Sequence, residues 1–254
     1  MKTRNLLNTL AKKFPKRLCA HYDHVGLMTY KLPENVHKIV LCLDFDEQIF
    51  DQVKEIKPDM VFTHHPFIFG TRGKVLKYDE DKRLLTEKVE KAKICIYSMH
   101  TNFDSGDGGM NDALLNALGC ANIRKSIKDS AIRIGELKEE MDTVSFAKYA
   151  KKKFNVDYSL LINEGVDKIK TVAIVGGAGS YLYKLAKEEG ADIYISGDAP
   201  HHKRREIVNS KYNYLDMPHE IEKIFMPTMK KIMLEIDPTL EIIIIDHEEL
   251  PKVI

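Results

Sequence analysis

Between residues 36 and 101 the chain alternates short apolar runs with longer amphipathic stretches. Residues 38–43 form an unbroken apolar run and read as a buried strand. Residues 46–57 have helical character, 60–63 are a second strand, 79–93 a charged helix and 94–99 a third strand. Strand, helix, strand, helix, strand implies a parallel sheet with crossover helices. A Gly-rich loop is expected over 104–109 and a helix over about 110–118. After Gly119 the alternation resumes: a helix over 143–153, a strand over 168–175, a Gly-rich turn, a helix over 180–189 and a strand over 191–195. A helix over about 218–234 and a strand over 241–245 close the pattern. The first residues, 1–14, space Leu6, Leu7, Leu10, Ala11 and Phe14 as one helical face. That is a helix laid on a core, not the apolar run of a secretory signal.

The expected fold class is therefore α/β, with two α/β domains and a mainly parallel sheet in the first. The first domain is expected over 1–127 and 216–254, discontinuous, with an inserted second domain over 128–215. A chain of 254 residues accommodates two modest domains. Lys and Arg number 39 against 38 Asp and Glu, a net charge of +1. That balance argues against nucleic acid as a partner, which favours a basic excess or stripe. Cys19, Cys42, Cys95 and Cys120 are scattered and make neither a disulfide framework nor a zinc-ribbon spacing. No apolar run approaches the ~18 residues of a membrane span. The protein is expected to be soluble and cytoplasmic.

The chemistry concentrates at strand ends. His64 and His65 follow the second strand and precede Pro66. Adjacent strand residues point to opposite faces, so both rings can share a site only if the chain bends there. Pro66 favours that bend, and neutral imidazole is the commonest metal ligand. In open parallel sheets ligands bind outside the carboxyl ends of the strands. Asp44 follows the first strand, the His pair the second, His100 and Asp104 the third. Asp104 reads as a ligand or as a turn residue capping its own backbone. His100 reads as a ligand or as an outer partner that orients one, and Asp44 as an outer partner or an ordinary loop start.

Farther along, Asp216 is a plausible N-cap with Pro218 in the first turn. His219 and Glu222, three apart, then share a helix face. Gly176, Gly177 and Gly179 imitate a dinucleotide fingerprint but lack its third small residue, and a tight strand-to-helix turn fits better. Asp198, His201 and His202 lie at a strand end and are either site residues or solvated loop.

Several stretches together resemble the Nif-three-like family (Ngg-one-interacting factor three), catalogued as GTP cyclohydrolase 1 type 2 homologues. They are Asp23-His-Val-Gly-Leu27, Thr63-His-His-Pro66, His100-Thr-Asn-Phe-Asp104, Gly108-Gly-Met-Asn-Asp112, Arg133-Ile-Gly-Glu136, Val172-Ala-Ile-Val-Gly-Gly-Ala-Gly179 and Ile195-Ser-Gly-Asp198 with His202. The resemblance implies two α/β domains and a dinuclear metal centre with His64, His65, Asp104, His219 and Glu222 as ligands. His100, His202 and Asp198 are then candidates for the shell behind them. It also implies a homohexamer, a trimer of dimers. The family's usual Gly-His-x-x-x-Glu puts His and Glu four apart; here Pro218 replaces the Gly and the spacing is three.

Imidazole with carboxylate suits Zn, Fe, Mn or Ni, and the resemblance implies two such divalent ions per chain. A di-metal hydrolase acting through metal-bound hydroxide on a nucleotide or other small molecule is the expected function. A metal-binding regulatory or scaffold ring that docks protein or nucleic acid without turnover is the alternative, and metal storage a third.

Overall fold

The apolar runs become strands, and the computed structural model, which describes residues 1–29 and 31–254, gathers them into two sheets. The strands are β1 (Gly26–Leu27), β2 (Lys38–Cys42), β3 (Met60–Thr63), β4 (Ile96–Ser98), β5 (Ala121–Lys125), β6 (Arg133–Asp142), β7 (Leu160–Ile162), β8 (Lys168–Ile174), β9 (Ile193–Gly197), β10 (Asn213–Met217) and β11 (Glu241–Ile244). The chain divides into two compact units, 1–106 with 225–248 and 107–224 with 249–254.

The first unit holds a five-stranded sheet in the order β1-β4-β3-β2-β11. β11, β2, β3 and β4 run parallel, and β1 closes the edge antiparallel to β4. The central strands are apolar throughout because helices cover both faces of such a sheet. Val40, Cys42, Val61 and Ile96 pack with Phe45, Ile49 and Val53 in one buried cluster. Helix Glu47–Ile56 starts where the Asp46 carboxylate accepts from Ile49 N at 2.9 Å. Helix Glu80–Lys91 starts the same way, with Asp79 accepting from Lys82 N at 2.8 Å. Helix Thr3–Lys13 buries Leu6, Leu7 and Leu10, as their spacing predicts, while Ala11 lies on its exposed side.

The second unit holds a six-stranded mixed sheet, β5-β6-β8-β9-β10-β7. β8, β9 and β10 are parallel; β5, β6 and β7 pair antiparallel. Three of these strands escape the hydrophobic pattern. β5 is a polar edge, the second half of β6 is solvated, and β10 carries the buried polar residues Asn213 and Asp216. Their pairings shift the division of the chain: β5 belongs with β6 and β10 with β9, so the units change at 106 and 224 instead of 127 and 216.

Three local expectations also change. Asp216 lies within β10, where its carboxylate accepts from Ala199 N at 3.3 Å, so it is no N-cap. The expected helix over 218–234 is a 3-10 helix, His219–Ile224, followed by α-helix Phe225–Ile236. Asp104 is not in a loop but in the one-turn helix Thr101–Ser105.

Two of the resembling motifs build this frame. Arg133 is buried in the second unit and donates from Nε to Asp112 at 2.9 Å and from Nη1 to Ser130 O at 2.8 Å. Asp112 also accepts from Gly108 N at 2.9 Å. Asn111 donates to Ala131 O and accepts from Gly176 N at 2.7 Å. Helix Met110–Ala117 is thereby tied to the sheet it packs on. Among the described residues no helix is long and apolar enough to cross a membrane.

Candidate metal centre

The first unit brings three imidazoles together at the carboxyl edge of its sheet. Beyond β3 the backbone leaves the strand: His64 N and His65 N both donate to Leu43 O, each at 3.1 Å. Two successive amides on one carbonyl break the alternation that would otherwise send the rings to opposite faces. The His64 and His65 ring centroids are 5.0 Å apart, and His100 stands 5.1 Å from the first and 5.6 Å from the second. One nitrogen from each of the three rings lies within 4.8 Å of the others. His100 thus stands with the candidate ligands.

Each ring is oriented from behind through Nδ1. His64 Nδ1 meets Met99 O at 3.0 Å, His65 Nδ1 meets Asp44 Oδ2 at 2.7 Å, and His100 Nδ1 meets Asp23 Oδ1 at 3.0 Å. A carbonyl or carboxylate only accepts, so Nδ1 carries the hydrogen and the neutral ring keeps its lone pair on Nε2. Outer partners of this kind fix the tautomer and raise the basicity of metal-ligating histidines. Asp44 thus does more than begin a loop: it holds the His65 ring. His64 is wholly buried, and its Nε2 lies 3.6 Å from Asp104 Oδ1. Two lone-pair groups facing each other suit a cation between them.

Asp23 is a member of this group that residue-by-residue reading passes over. Its only sequence signal is the Asp23-His-Val-Gly-Leu27 stretch. Burial raises its carboxyl pKa, but hydrogen bonds and charge from His100 and hydrogen bonds from Thr101 outweigh burial and hold it at about 2. Its folded pKa lies below the unfolded value, so its contribution to stability is complete above about pH 4 and is lost as pH falls through about 2.

The second unit repeats the arrangement on one histidine. His219 Nδ1 meets Asp198 Oδ2 at 2.5 Å, and His219 Nε2 lies 3.0 Å from Glu222 Oε2. The shortened spacing of this pair has a structural counterpart. A 3-10 helix has three residues per turn, so positions i and i+3 eclipse. Winding His219–Ile224 as 3-10 brings Glu222 over His219 without the fourth residue. Glu222 is buried, and the Gly-rich turn is its floor. Gly177 has φ +61, and a Cβ there would stand 2.6 Å from Glu222 Oε1 and 3.1 Å from His219 Nε2. The turn thus makes room for the Glu222 carboxylate and the His219 ring. His201 and His202 are exposed on helix His201–Asn209, with no hydrogen bond to His219 or Glu222 among the described residues.

Gly177→Ala is expected to displace Glu222 or His219, lowering metal affinity by about tenfold or more, the scale of lost outer-shell support. The left-handed φ adds about 1–2 kcal/mol of strain. Metal competition against a coloured chelator reads the first effect and thermal unfolding the second; unchanged affinity would show the floor to be dispensable.

Of the expected ligands, His64, His65 and Asp104 belong to the first unit and His219 and Glu222 to the second. The chain is similar to a protein of Clostridium perfringens called GTP cyclohydrolase 1 type 2 homolog, 31% identical over 96% of each chain. A Clostridium acetobutylicum protein of the same name is 30% identical over 80% of this chain and 78% of its own. The crystal structure of a Bacillus cereus protein related to NIF3 superposes with a TM-score of 0.89 at 20% identity, covering 100% of this chain and 99% of that one. The family model for Duf34/NIF3 (NGG1p interacting factor 3) matches residues 1–251, and this chain belongs to that family.

Proposed function

We propose that the protein is a metal-dependent hydrolase whose chain holds two divalent transition-metal ions through His64, His65, Asp104, His219 and Glu222. The observation that carries the reading is the shared grammar of the imidazoles: His64, His65, His100 and His219 each have Nδ1 tied to an acceptor. Four rings oriented alike leave Nε2 as the common donor atom, a choice that packing alone does not require. Asp104 and Glu222 add anionic oxygens close to His64 and His219, so the donor set fits Zn, Fe, Mn or Ni. A bound ion of this kind supplies Lewis acidity and activates water for hydrolysis near neutral pH.

The protein's own groups divide the remaining work. His64 and His65 hold a donor pair in place from a rigid strand end. Asp44 and Asp198 keep the Nδ1 protons where they are. His100, oriented by Asp23, stands beside His64 and His65 as a further candidate donor. The relatives' name supports a nucleotide such as GTP as substrate. Homohexamer formation belongs to the same reading and predicts a light-scattering mass of six chains.

The test is elemental analysis of tag-free protein together with GTP turnover before and after chelation. About two ions per chain and activity lost on chelation are expected. Wild-type protein that takes up no metal on reconstitution, or metal-free protein as active as loaded protein, would overturn the reading.

A further inference from the structure

Beside His100, within the first unit, lies a cleft of about 660 Å³. One wall is the segment that carries Lys16, Asp23 and Leu27; the other runs from Ile68 to Arg72, just beyond the His pair. Its charges are unevenly matched. The Asp23 carboxylate is taken up by His100 and Thr101, and Arg72 pairs with Glu90. Lys16 has no carboxylate within 4 Å among the described residues, so its ammonium is the cleft's unpaired cation there, although Asp23 keeps the cleft near neutral overall. Gly26, at φ +110, borders that ammonium: a Cβ there would stand 3.4 Å from Lys16 Nζ. A larger residue there would crowd the Lys16 ammonium.

Two exposed aromatic residues adjoin the lining residues in sequence, Phe69 between Ile68 and Gly70 and Tyr22 between His21 and Asp23. Phe69 and Tyr22 are 55% and 47% exposed, with ring centroids 6.4 Å apart. Phe69 in turn stands 6.2 Å from the His100 ring. Large aromatic side chains left in solvent beside a polar cleft cost folding energy and commonly mark a binding surface. Asp23, in the wall of the cleft, is hydrogen-bonded to His100, and Phe69 stands beside that same ring.

We infer that this cleft is the specificity pocket of the site: Lys16 takes an anionic group of the substrate, a phosphate or carboxylate, while a planar ring of the same molecule lies against Phe69 and Tyr22. The inference rests on the hydrolase reading and narrows its substrates to ring compounds that carry an anion. Lys16 is a compact point charge on a flexible stem, suited to either anion and to a range of positions. A neutral ring compound would forfeit the charge-assisted contact, and an aliphatic anion the stacking.

The test is calorimetric titration of the protein as purified with phenyl phosphate, benzoate and benzyl alcohol, repeated after chelation. Lys16→Gln is expected to weaken phenyl phosphate or benzoate by about tenfold, the loss of one charge-assisted bond, and Lys16→Arg to restore most of it. Phe69→Ala is expected to weaken both anions severalfold, and benzyl alcohol to bind far more weakly than either. Metal content should be the same in all variants, because none of these residues is an expected ligand. Equal binding by Lys16→Gln and wild type, or no binding of either anion by wild type at millimolar concentration, would overturn the pocket. Lys16-dependent binding in a chain that takes up no metal would uphold the pocket while the hydrolase reading falls. Full metal loading with Lys16→Gln indistinguishable from wild type would do the reverse.

Discussion

Replacing His64 by alanine is expected to abolish metal binding by the chain. His64 is wholly buried, its ring is fixed by Met99 O, and its Nε2 lies 3.6 Å from Asp104. Loss of an outer partner of a ligating histidine costs ~10–100-fold in metal affinity, and loss of the donor itself costs more. The ring also packs on Phe225, at 5.2 Å between centroids, so the variant loses about 1–3 kcal/mol of stability as well. Metal must therefore be counted on material shown by circular dichroism to be folded. His64→Asn and Asp104→Asn, which keep most of the volume, guard against mistaking unfolding for loss of a ligand. All three are expected to retain little metal after gel filtration. A folded His64→Ala protein with the wild-type metal content would remove His64 from the centre, and the hydrolase reading would lose its firmest residue.

The first sheet is legible because its strands are unbroken apolar runs between helices. From that alone Asp44, His64, His65, His100 and Asp104 fall at one edge. What the sequence hides is direction. The bend that turns His64 and His65 to one side depends on a shared carbonyl, Leu43 O, a backbone contact with no residue signature. Asp23 and Asp44 look like loop residues because their partners, His100 and His65, are 77 and 21 positions away. The second sheet is less legible. β5 and β10 are polar, one because it is an edge and the other because its buried Asn213 and Asp216 are satisfied by distant backbone. The three-residue gap between His219 and Glu222 looks like a departure in sequence, yet 3-10 winding absorbs it. The Gly176–Gly179 turn misleads in the opposite sense: its glycines imitate phosphate-binding chemistry, and their use is to make room for Glu222.

Arg133→Ala is expected to destabilise the protein strongly although it lies outside the site. The Arg133 side chain is 1% exposed, and its guanidinium serves Asp112, Asp107 and the Ser130 carbonyl at once. Breaking a buried ion pair from one side costs about 3–5 kcal/mol. Asp107 is 84% exposed and recovers water, so its share is small; Asp112, 18% exposed, keeps only part of its solvation. The lower end, about 3 kcal/mol, is therefore the expected loss. For a chain of this size that lowers the unfolding midpoint by about 6–12 °C. Arg133→Lys retains the charge but cannot span Asp112 and Ser130 O together, so it should fall between. Asp112→Ala in the Arg133→Ala background should add little, because the pair is already broken, whereas independent sites would add. Scanning calorimetry of the four proteins reads all three statements. A midpoint within 2 °C of wild type for Arg133→Ala would mean that the helix carrying Asn111 and Asp112 is held by apolar packing and the Asn111 hydrogen bonds, without need of Arg133. The resemblance between Gly108–Asp112, Arg133–Glu136 and the family motifs would then need an explanation other than the frame of the fold.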